Sequence, residues 1–243
     1  MLEYYYNTII MFNLLKKISG SSHDNSLIAS KTERDEFCKT IINSSSLKTG
    51  FYLLLILSTF IVTVGLLKNS LILIIGGMLV APLLSPILSI SLSITIFNLR
   101  VFLRSIQIFI ISALISLLVS YILGLIANFS IVEIDLINLM KATDLTAFLI
   151  PLAAGAAASF TWAKKELNNS LPGVAITVTL LPPLTIMGLS LAVENFLIFR
   201  EALSVYFLNV SGIIIGSSII FLLMGFHKSA RKILEQIKQE ENI

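Results

Sequence analysis

The chain has 243 residues, of which 56% are hydrophobic and 13% are charged, and its mean hydropathy is +0.93. A soluble domain carries about 25% charged residues, so this composition excludes a soluble globular enzyme and a disordered chain. The net charge of +3 is small, and the single Cys38 allows no internal disulfide and indicates no oxidised extracellular framework.

Residues 1–49 form a polar N-terminal tail. Its opening segment, MLEYYYNTIIMFNLLKKI, spaces Ile10, Leu14 and Ile18 as in an amphipathic helix lying at the membrane interface. A disordered cytosolic tail fits the same residues equally well. No basic segment precedes the short apolar stretch and no small-residue cleavage site follows it, which argues against a signal peptide.

Six apolar stretches follow the tail, and a charged C-terminal tail over 227–243 ends the chain. About 20 apolar residues cross about 30 Å of hydrocarbon, and lipid offers no partner for open backbone groups, so each stretch is predicted to be a helix. We therefore expect an all-α, polytopic membrane protein with a six-helix transmembrane domain over 50–226. The predicted spans are 50–67, 70–97, 103–127, 145–163, 170–193 and 202–226.

The placement of cations predicts the orientation of these spans. With the N-terminus inside, eight cations lie at the inner ends of the spans: Lys48, Arg100, Arg104, Lys164, Lys165, Lys228, Arg231 and Lys232. Only three lie at the outer ends, which are Lys68, Lys141 and Arg200. This bias predicts that both termini are cytoplasmic.

The second and fifth spans contain prolines at their centres, which are expected to break the helices. Displacing the sequence by 100 residues places Pro82 on Pro182 and Ser85 on Thr185. Each predicted repeat, about 50–127 and 145–226, has three crossings, so the second would be inverted relative to the first. Inverted repeats with broken helices are typical of transporters, although prolines also kink ordinary transmembrane helices and a duplication also suits an inert scaffold.

A candidate midplane site or hinge lies around the two breaks. Its residues are Gly76, Gly77, Pro82, Ser85, Pro86, Gly173, Thr177, Pro182, Pro183, Thr185 and Asn209, the last about a third of the way along the sixth span. One interpretation is a neutral polar cavity lined by hydroxyls, backbone carbonyls and one amide. In the other, the hydroxyls bond back to their own helices. The glycines serve either to open the backbone near the breaks or to let helices pack closely.

Small residues favour close helix packing elsewhere. Gly155 lies among alanines in the fourth span, and Gly212 and Gly216 have the small-xxx-small spacing in the sixth. Both patterns allow backbones to approach closely within the protein or between subunits, and a homo-oligomer in the lipid bilayer is expected.

Ionisable residues are missing from the depth of every predicted span, apart from Arg104 near the start of the third. This argues against a proton relay or cation coupling. The sequence has no metal-ligand, Ser–His or nucleotide-binding motif. We therefore expect no enzyme activity, no cofactor, no metal and no nucleic-acid partner.

Two segments resemble a known family. IIGGMLVAPLLSPILSISLSI is similar to its "GxM…APL…GPI" motif, with Ser85 where glycine is usual, and NSLPGVAITVTLLPPLTIMGLSLA is similar to its "LPGVAIAVALLPPL" motif. The family is the bacterial and archaeal set of hydrophobic membrane proteins catalogued as domain of unknown function three hundred and eighty-nine. The resemblance covers about 45–226 and implies a multi-pass protein of the plasma (inner) membrane of a prokaryote, without an assigned activity. The residues that match its motifs are Gly76, Met78, Pro82, Pro86, Pro172, Gly173, Pro182 and Pro183.

Two functions fit these observations. The first is a channel or facilitator for an unknown small solute or ion, with its path between the proline-broken helices. The alternative is a non-transporting membrane scaffold or anchoring module that assembles partners through its tails and through the helices that are rich in small residues.

Overall fold

The computed structural model describes residues 49–127, 145–164 and 180–226. These ranges contain only helices and turns, with no strand, as the sequence predicts for them. The helices are α1 Thr49–Leu67, α2 Leu71–Val80, α3 Leu84–Thr95, α4 Leu99–Ala127, α5 Leu145–Ala163, α6 Leu181–Ala192 and α7 Phe196–Leu223. The predicted N-terminal helix, the C-terminal tail, Gly173 and Thr177 lie outside the described residues.

Helices α1, α4 and α7 are each long and apolar enough to cross a membrane. Helices α2 and α3 together meet the same criterion as one broken span, bent by 54°. The described part is therefore all-helical and apolar, with three to four candidate membrane spans, as is typical of a membrane protein. Helices α5 and α6 contribute shorter apolar segments. The first part of the predicted fifth span, 170–179, is outside the described residues, and six crossings stay a prediction.

The break between α2 and α3 follows from proline sterics. Ala81 is extended (φ −68°, ψ 125°), because the ring of Pro82 disfavours a helical conformation in the residue before it. Pro86 lies in the first turn of α3, where its missing N–H leaves no helical hydrogen bond unmade. The Ser85 hydroxyl donates to the Pro82 carbonyl oxygen at 3.2 Å. The predicted break in the second span is confirmed.

Helix α6 begins with the other proline pair. Pro182 and Pro183 lie in its first turn, and the preceding Leu180 provides no side-chain cap. The Thr185 hydroxyl contacts the carbonyl oxygens of Pro182 at 2.8 Å and Leu181 at 3.1 Å. Leu180 and Leu181 are both 2% exposed, so this helix starts in a buried position, where unpaired N–H groups are costly. The two prolines remove two of these donors, which suits a helix that starts inside the protein.

A similar turn follows each of these two short helices. Phe97 after α3 and Glu194 after α6 have positive φ angles of 54° and 55°. The next residue, Asn98 or Asn195, donates its backbone N–H to the carbonyl oxygen five residues back at 3.0 or 2.9 Å. The asparagine Oδ1 then accepts a backbone N–H in the first turn of the following helix, at 3.1 Å in α4 and 3.2 Å in α7. Each long helix therefore starts from an asparagine cap.

These features recur at a spacing of 97 residues, from Leu84 to Leu181 and from Asn98 to Asn195. A spacing of 100 instead relates the two hydrogen bonds from a hydroxyl to a proline carbonyl, Ser85 to Pro82 and Thr185 to Pro182. The two spacings differ by three residues, which is about one helical turn. The local proline pattern is thus displaced by about a turn relative to the ends of the helices.

Helices α5 and α7 lie side by side and run in the same direction. A methyl group at Gly155 would overlap the backbone of Ile213, and one at Gly216 would overlap the backbone of Leu152. The Ser217 hydroxyl donates to the Gly155 carbonyl oxygen at 2.8 Å. The predicted close approach at these glycines is confirmed, and it occurs within one chain.

Each short helix also packs on the long helix of the other predicted repeat. A methyl group at Gly188 of α6 would overlap Ser120 of α4. The Ser218 hydroxyl of α7 donates to the Ser91 carbonyl oxygen of α3 at 3.5 Å. Gly188 lies 97 residues after Ser91, and Ser218 lies 98 after Ser120, so the two contacts correspond closely.

The two capped helices begin earlier than the hydropathy pattern predicts. Helix α4 starts at Leu99 rather than 103, which places the exposed Arg104 in its second turn. Helix α7 starts at Phe196 rather than 202, so Asn209 lies about halfway along it instead of a third of the way. The predicted spans start only after the charged residues Arg100 and Glu201, whereas the helices begin directly after their asparagine caps.

Candidate functional site

The two proline-led helices form the interior of the described bundle. Ten of the twelve residues of α3 are buried, and so are ten of the twelve residues of α6. A helix of twelve residues is about 18 Å long, which is a little over half of a hydrocarbon layer of about 30 Å. Each helix therefore runs from one end of the bundle to a proline-containing start at middle depth.

The polar side chains of this interior are all neutral. Among the described residues, every buried polar side chain apart from tyrosine belongs to serine, threonine or asparagine. Arg104 and Glu201 are exposed. Within 49–127, 145–164 and 180–226, no group of three or more His, Cys, Asp or Glu residues is placed to hold a metal ion.

Several hydroxyls at and after the two breaks bond to carbonyls of their own segments. Ser85 and Thr185 bond to carbonyls at their helix starts, as described above, and Ser91 and Ser93 of α3 donate to Ile87 and Ile90 at 3.0 and 2.6 Å. The alternative in which hydroxyls bond back to their helices is therefore observed at these positions. A hydroxyl that donates its hydrogen in this way keeps lone pairs that can accept another hydrogen bond.

Two hydroxyl pairs connect neighbouring helices. Ser89 of α3 and Ser105 of α4 are 2.7 Å apart at their Oγ atoms, and Thr59 of α1 donates to Ser116 of α4 at 3.2 Å. Ser105 and Ser116 belong to a buried serine stripe on α4 that also includes Ser112 and Ser120. This stripe brings α1, α3 and α6 close to the axis of α4.

The two adjacent glycines of α2 have different surroundings. A methyl group at Gly77 would contact Ser58 and Val62 of α1, whereas one at Gly76 would meet nothing within 4 Å. Gly77 therefore serves close packing, while Gly76 is exposed and does not.

The starts of α3 and α6 are both buried, but they do not form one contiguous polar surface. Pro86, Pro182 and Pro183 are buried, and Leu83, Leu180, Leu181 and Leu184 share a hydrophobic cluster around the starts of the two helices. Helices α3 and α6 pack mainly against α4 and α7 rather than against each other. Asn209 is 7% exposed on α7.

An aromatic pair that the sequence pattern did not predict lies between the two long helices. Phe109 of α4 and Tyr206 of α7 stack with a centroid distance of 6.0 Å and an interplanar angle of 3°. These residues are 97 apart, and the same spacing relates Phe102 to Phe199 and Asn98 to Asn195. A comparison at this spacing would have shown the correspondence, which the spacing of 100 hides.

Comparisons with known proteins agree with the motif resemblance. A family profile described as "Domain of unknown function (DUF389)" matches residues 78–215. An uncharacterized protein of the archaeon Methanocaldococcus jannaschii is 30% identical over 194 residues, which cover 79% of this chain and 59% of the relative. The chain thus aligns with less than two thirds of that relative's length. No solved structure matches the chain. The profile match includes α3, α4, α6 and most of the candidate site, and the chain belongs to the DUF389 family.

Proposed function

We propose that this protein is a channel or facilitator for a small solute or ion, with its path beside the starts of α3 and α6. The observation that carries the proposal is the pair of proline-led helices, each about half a bilayer long and each buried over ten of its twelve residues. Interrupted helices that end near the midplane are typical of transporter sites, because their ends expose backbone groups to a solute.

The interior chemistry favours a small neutral solute over a strongly charged one. The buried polar groups beside the path are hydroxyls and amides, so no fixed charge would compensate a multivalent ion in this low-dielectric interior. Back-bonded hydroxyls of α3 and α6 provide acceptors, while the backbone N–H groups at the two helix starts provide donors.

An inverted repeat of two three-helix halves is part of this proposal. It is supported by the equal lengths of α3 and α6, by the matching turns and asparagine caps, and by the closely corresponding contacts Gly188–Ser120 and Ser91–Ser218. In a two-fold arrangement, each contact between the halves occurs twice with the partners exchanged.

The proposed orientation places the α3–α4 turn in the cytoplasm, with both termini. The C-terminal ends of α3, α5 and α7 share one hydrophobic cluster, and three cations, Arg100, Arg104 and Lys164, lie at this end. The opposite end carries Glu194 and Glu201 beside Lys68 and Arg200, which agrees with an excess of cations on the cytoplasmic side. The proposed location is the plasma membrane of a prokaryote, in a homo-oligomer.

Cysteine labelling tests for a water-filled path without knowledge of the solute. Cys38 is the single cysteine, so a Cys38→Ser chain is a background without thiols. We expect a small charged thiosulfonate to label Ser85→Cys and Asn209→Cys, because thiolates form only where water reaches. The control is Ala158→Cys in α5, which packs in the hydrophobic cluster at the C-terminal ends of α3, α5 and α7, away from both helix starts, and is expected to stay unlabelled.

Flux measurements in proteoliposomes test transport itself. We expect uptake of at least one compound from a panel of small neutral solutes, gases and ions. Pro82→Ala and Pro182→Ala are expected to change that flux, whereas Pro151→Ala, in the interior of α5, is the matched control outside the two starts. The absence of flux for the whole panel, together with no labelling of the two cysteines, would contradict the proposal.

A second candidate function is a membrane scaffold that anchors partners. The observation that favours it is the close fit of α5 against α7 at Gly155 and Gly216, together with hydroxyls that already bond to their own helices. Deleting residues 1–45 distinguishes the two functions, because assembly with partners should fail while flux should persist.

A further inference from the structure

The Phe109–Tyr206 pair connects two helices that otherwise make few close backbone contacts. Helices α4 and α7 are packed mainly against shorter helices, and the two rings bridge the space between them in a nearly parallel stack. Tyr206 is 6% exposed, and its hydroxyl is buried without a hydrogen-bond partner. A buried hydroxyl without a partner is costly, so this position needs an explanation beyond packing.

The two rings occupy corresponding positions in the two halves. Phe109 lies eleven residues after the capping Asn98, and Tyr206 lies eleven residues after the capping Asn195. When two corresponding residues contact each other, they lie on the pseudo-two-fold axis that relates the halves. The stack therefore marks that axis.

The same positions give the depth of the stack. Eleven residues of helix rise by about 16 Å, which is half of a hydrocarbon layer of about 30 Å. Since α4 and α7 start from opposite ends of the bundle, the stack lies near the midplane when measured from either cap. The starts of α3 and α6 lie at the same depth, because each short helix turns back on its long neighbour through a tight turn.

We propose that the Phe109–Tyr206 stack is the gate of the permeation path, closing it at mid-membrane. This inference rests on the proposed function and identifies the residues that block the path when it is closed. A pair of apolar ring faces excludes water from a narrow passage, and hydrophobic constrictions close channels by this dewetting. The Tyr206 hydroxyl is then a hydrogen-bond donor for an acceptor oxygen of a passing solute or water.

Side-resolved cysteine labelling tests the gate. Asn209 lies three residues beyond Tyr206 on one side of the stack, and Ser112 lies three residues beyond Phe109 on the other. In the Cys38→Ser background, a membrane-impermeant thiosulfonate should label Asn209→Cys only from the side of the α3–α4 turn. It should label Ser112→Cys only from the opposite side.

Removing one ring should abolish this sidedness. With Phe109→Ala added, each reporter cysteine is expected to react from both sides of the membrane. Phe207→Ala is the matched control, since Phe207 neighbours Tyr206 but is 62% exposed, and it should leave the sidedness intact. Tyr206→Phe keeps the stacked rings, so it should also preserve sidedness while reducing flux of solutes that accept hydrogen bonds.

The outcomes separate the gate from the path. Labelling of both reporters from both sides in the parent chain, or unchanged sidedness in the Phe109→Ala chain, overturns the gate while leaving the path. Labelling of the reporters from both sides in the Tyr206→Phe chain also overturns the gate, because the ring pair would then not be the barrier. No labelling of either reporter in any variant overturns the path itself. A circular-dichroism spectrum equal to the parent's verifies that each variant is folded.

Discussion

Replacing Gly216 by alanine is expected to destabilise the bundle strongly for so small a change. The added methyl group would overlap the carbonyl oxygen of Leu152 and force α5 and α7 apart. Overpacking of this kind costs about 1–3 kcal/mol. Separating the helices also weakens the Ser217–Gly155 hydrogen bond of 2.8 Å, and such bonds contribute about 0.6 kcal/mol in membrane proteins.

Gly76→Ala provides a matched control for this substitution. Both glycines lie within helices, so both replacements gain the same helix propensity of about 1 kcal/mol. A methyl group at Gly76 meets nothing within 4 Å, and the control therefore isolates the packing term. We expect the Gly216→Ala protein to be less stable than the Gly76→Ala protein by about 2–3 kcal/mol.

The single tryptophan allows a direct measurement. Trp162 in α5 is half-buried and packs against the cluster formed by α3, α5 and α7, so its fluorescence should follow separation of α5 from the bundle. Unfolding by dodecyl sulfate in mixed micelles then gives the free-energy difference between the two variants. Equal midpoints for the two variants would refute the close contact between α5 and α7.

Three further substitutions test other parts of the structure. Asn195→Ala removes the side-chain acceptor of the Ile198 N–H and should lower the free energy of unfolding by about 1 kcal/mol; an unchanged value would argue against the cap. Ser89→Ala should cost about 0.6 kcal/mol in the same titration, since Ser105 loses its partner at 2.7 Å, and a cost near zero would show that this bond is not stabilising. Pro82→Ala should relax the 54° bend and lengthen the distance between spin labels at the far ends of α2 and α3 by about 4 Å. An unchanged distance in double electron–electron resonance would mean that packing, rather than proline, sets the bend.

Much of the helical architecture could be predicted because lipid-compatible composition leaves helices as the main option. The break near Pro82 was also predictable, since the steric effect of proline is local and independent of tertiary context. The helix starts were not, because Arg100 and Glu201 lower the hydropathy of the first turns, although the helices extend back to their caps at Asn98 and Asn195.

The candidate site was less accessible to sequence reasoning. Whether a serine faces a cavity or its own helix depends on rotamer and neighbours, so nothing in the sequence distinguishes Ser89, which bonds to α4, from Ser91, which bonds to Ile87. The aromatic pair was hidden for another reason. Pro182 aligns with Pro82 at a spacing of 100, and this local similarity concealed the spacing of 97 that relates Phe109 to Tyr206.

The turn after α3 has a consequence for the depth of the protein in the membrane. Phe97 is 91% exposed with a φ of 54°, a left-handed conformation that costs a residue with a side chain about 1–2 kcal/mol. Glycine would relieve that strain, yet the chain keeps an aromatic ring there and a carboxylate, Glu194, at the corresponding turn. An exposed phenylalanine ring favours lipid over water, whereas a carboxylate favours water. In the proposed orientation, Phe97 would lie at the cytoplasmic boundary of the lipid and Glu194 in the aqueous phase on the other side. Together, the two strained turns would then oppose movement of the bundle along the membrane normal.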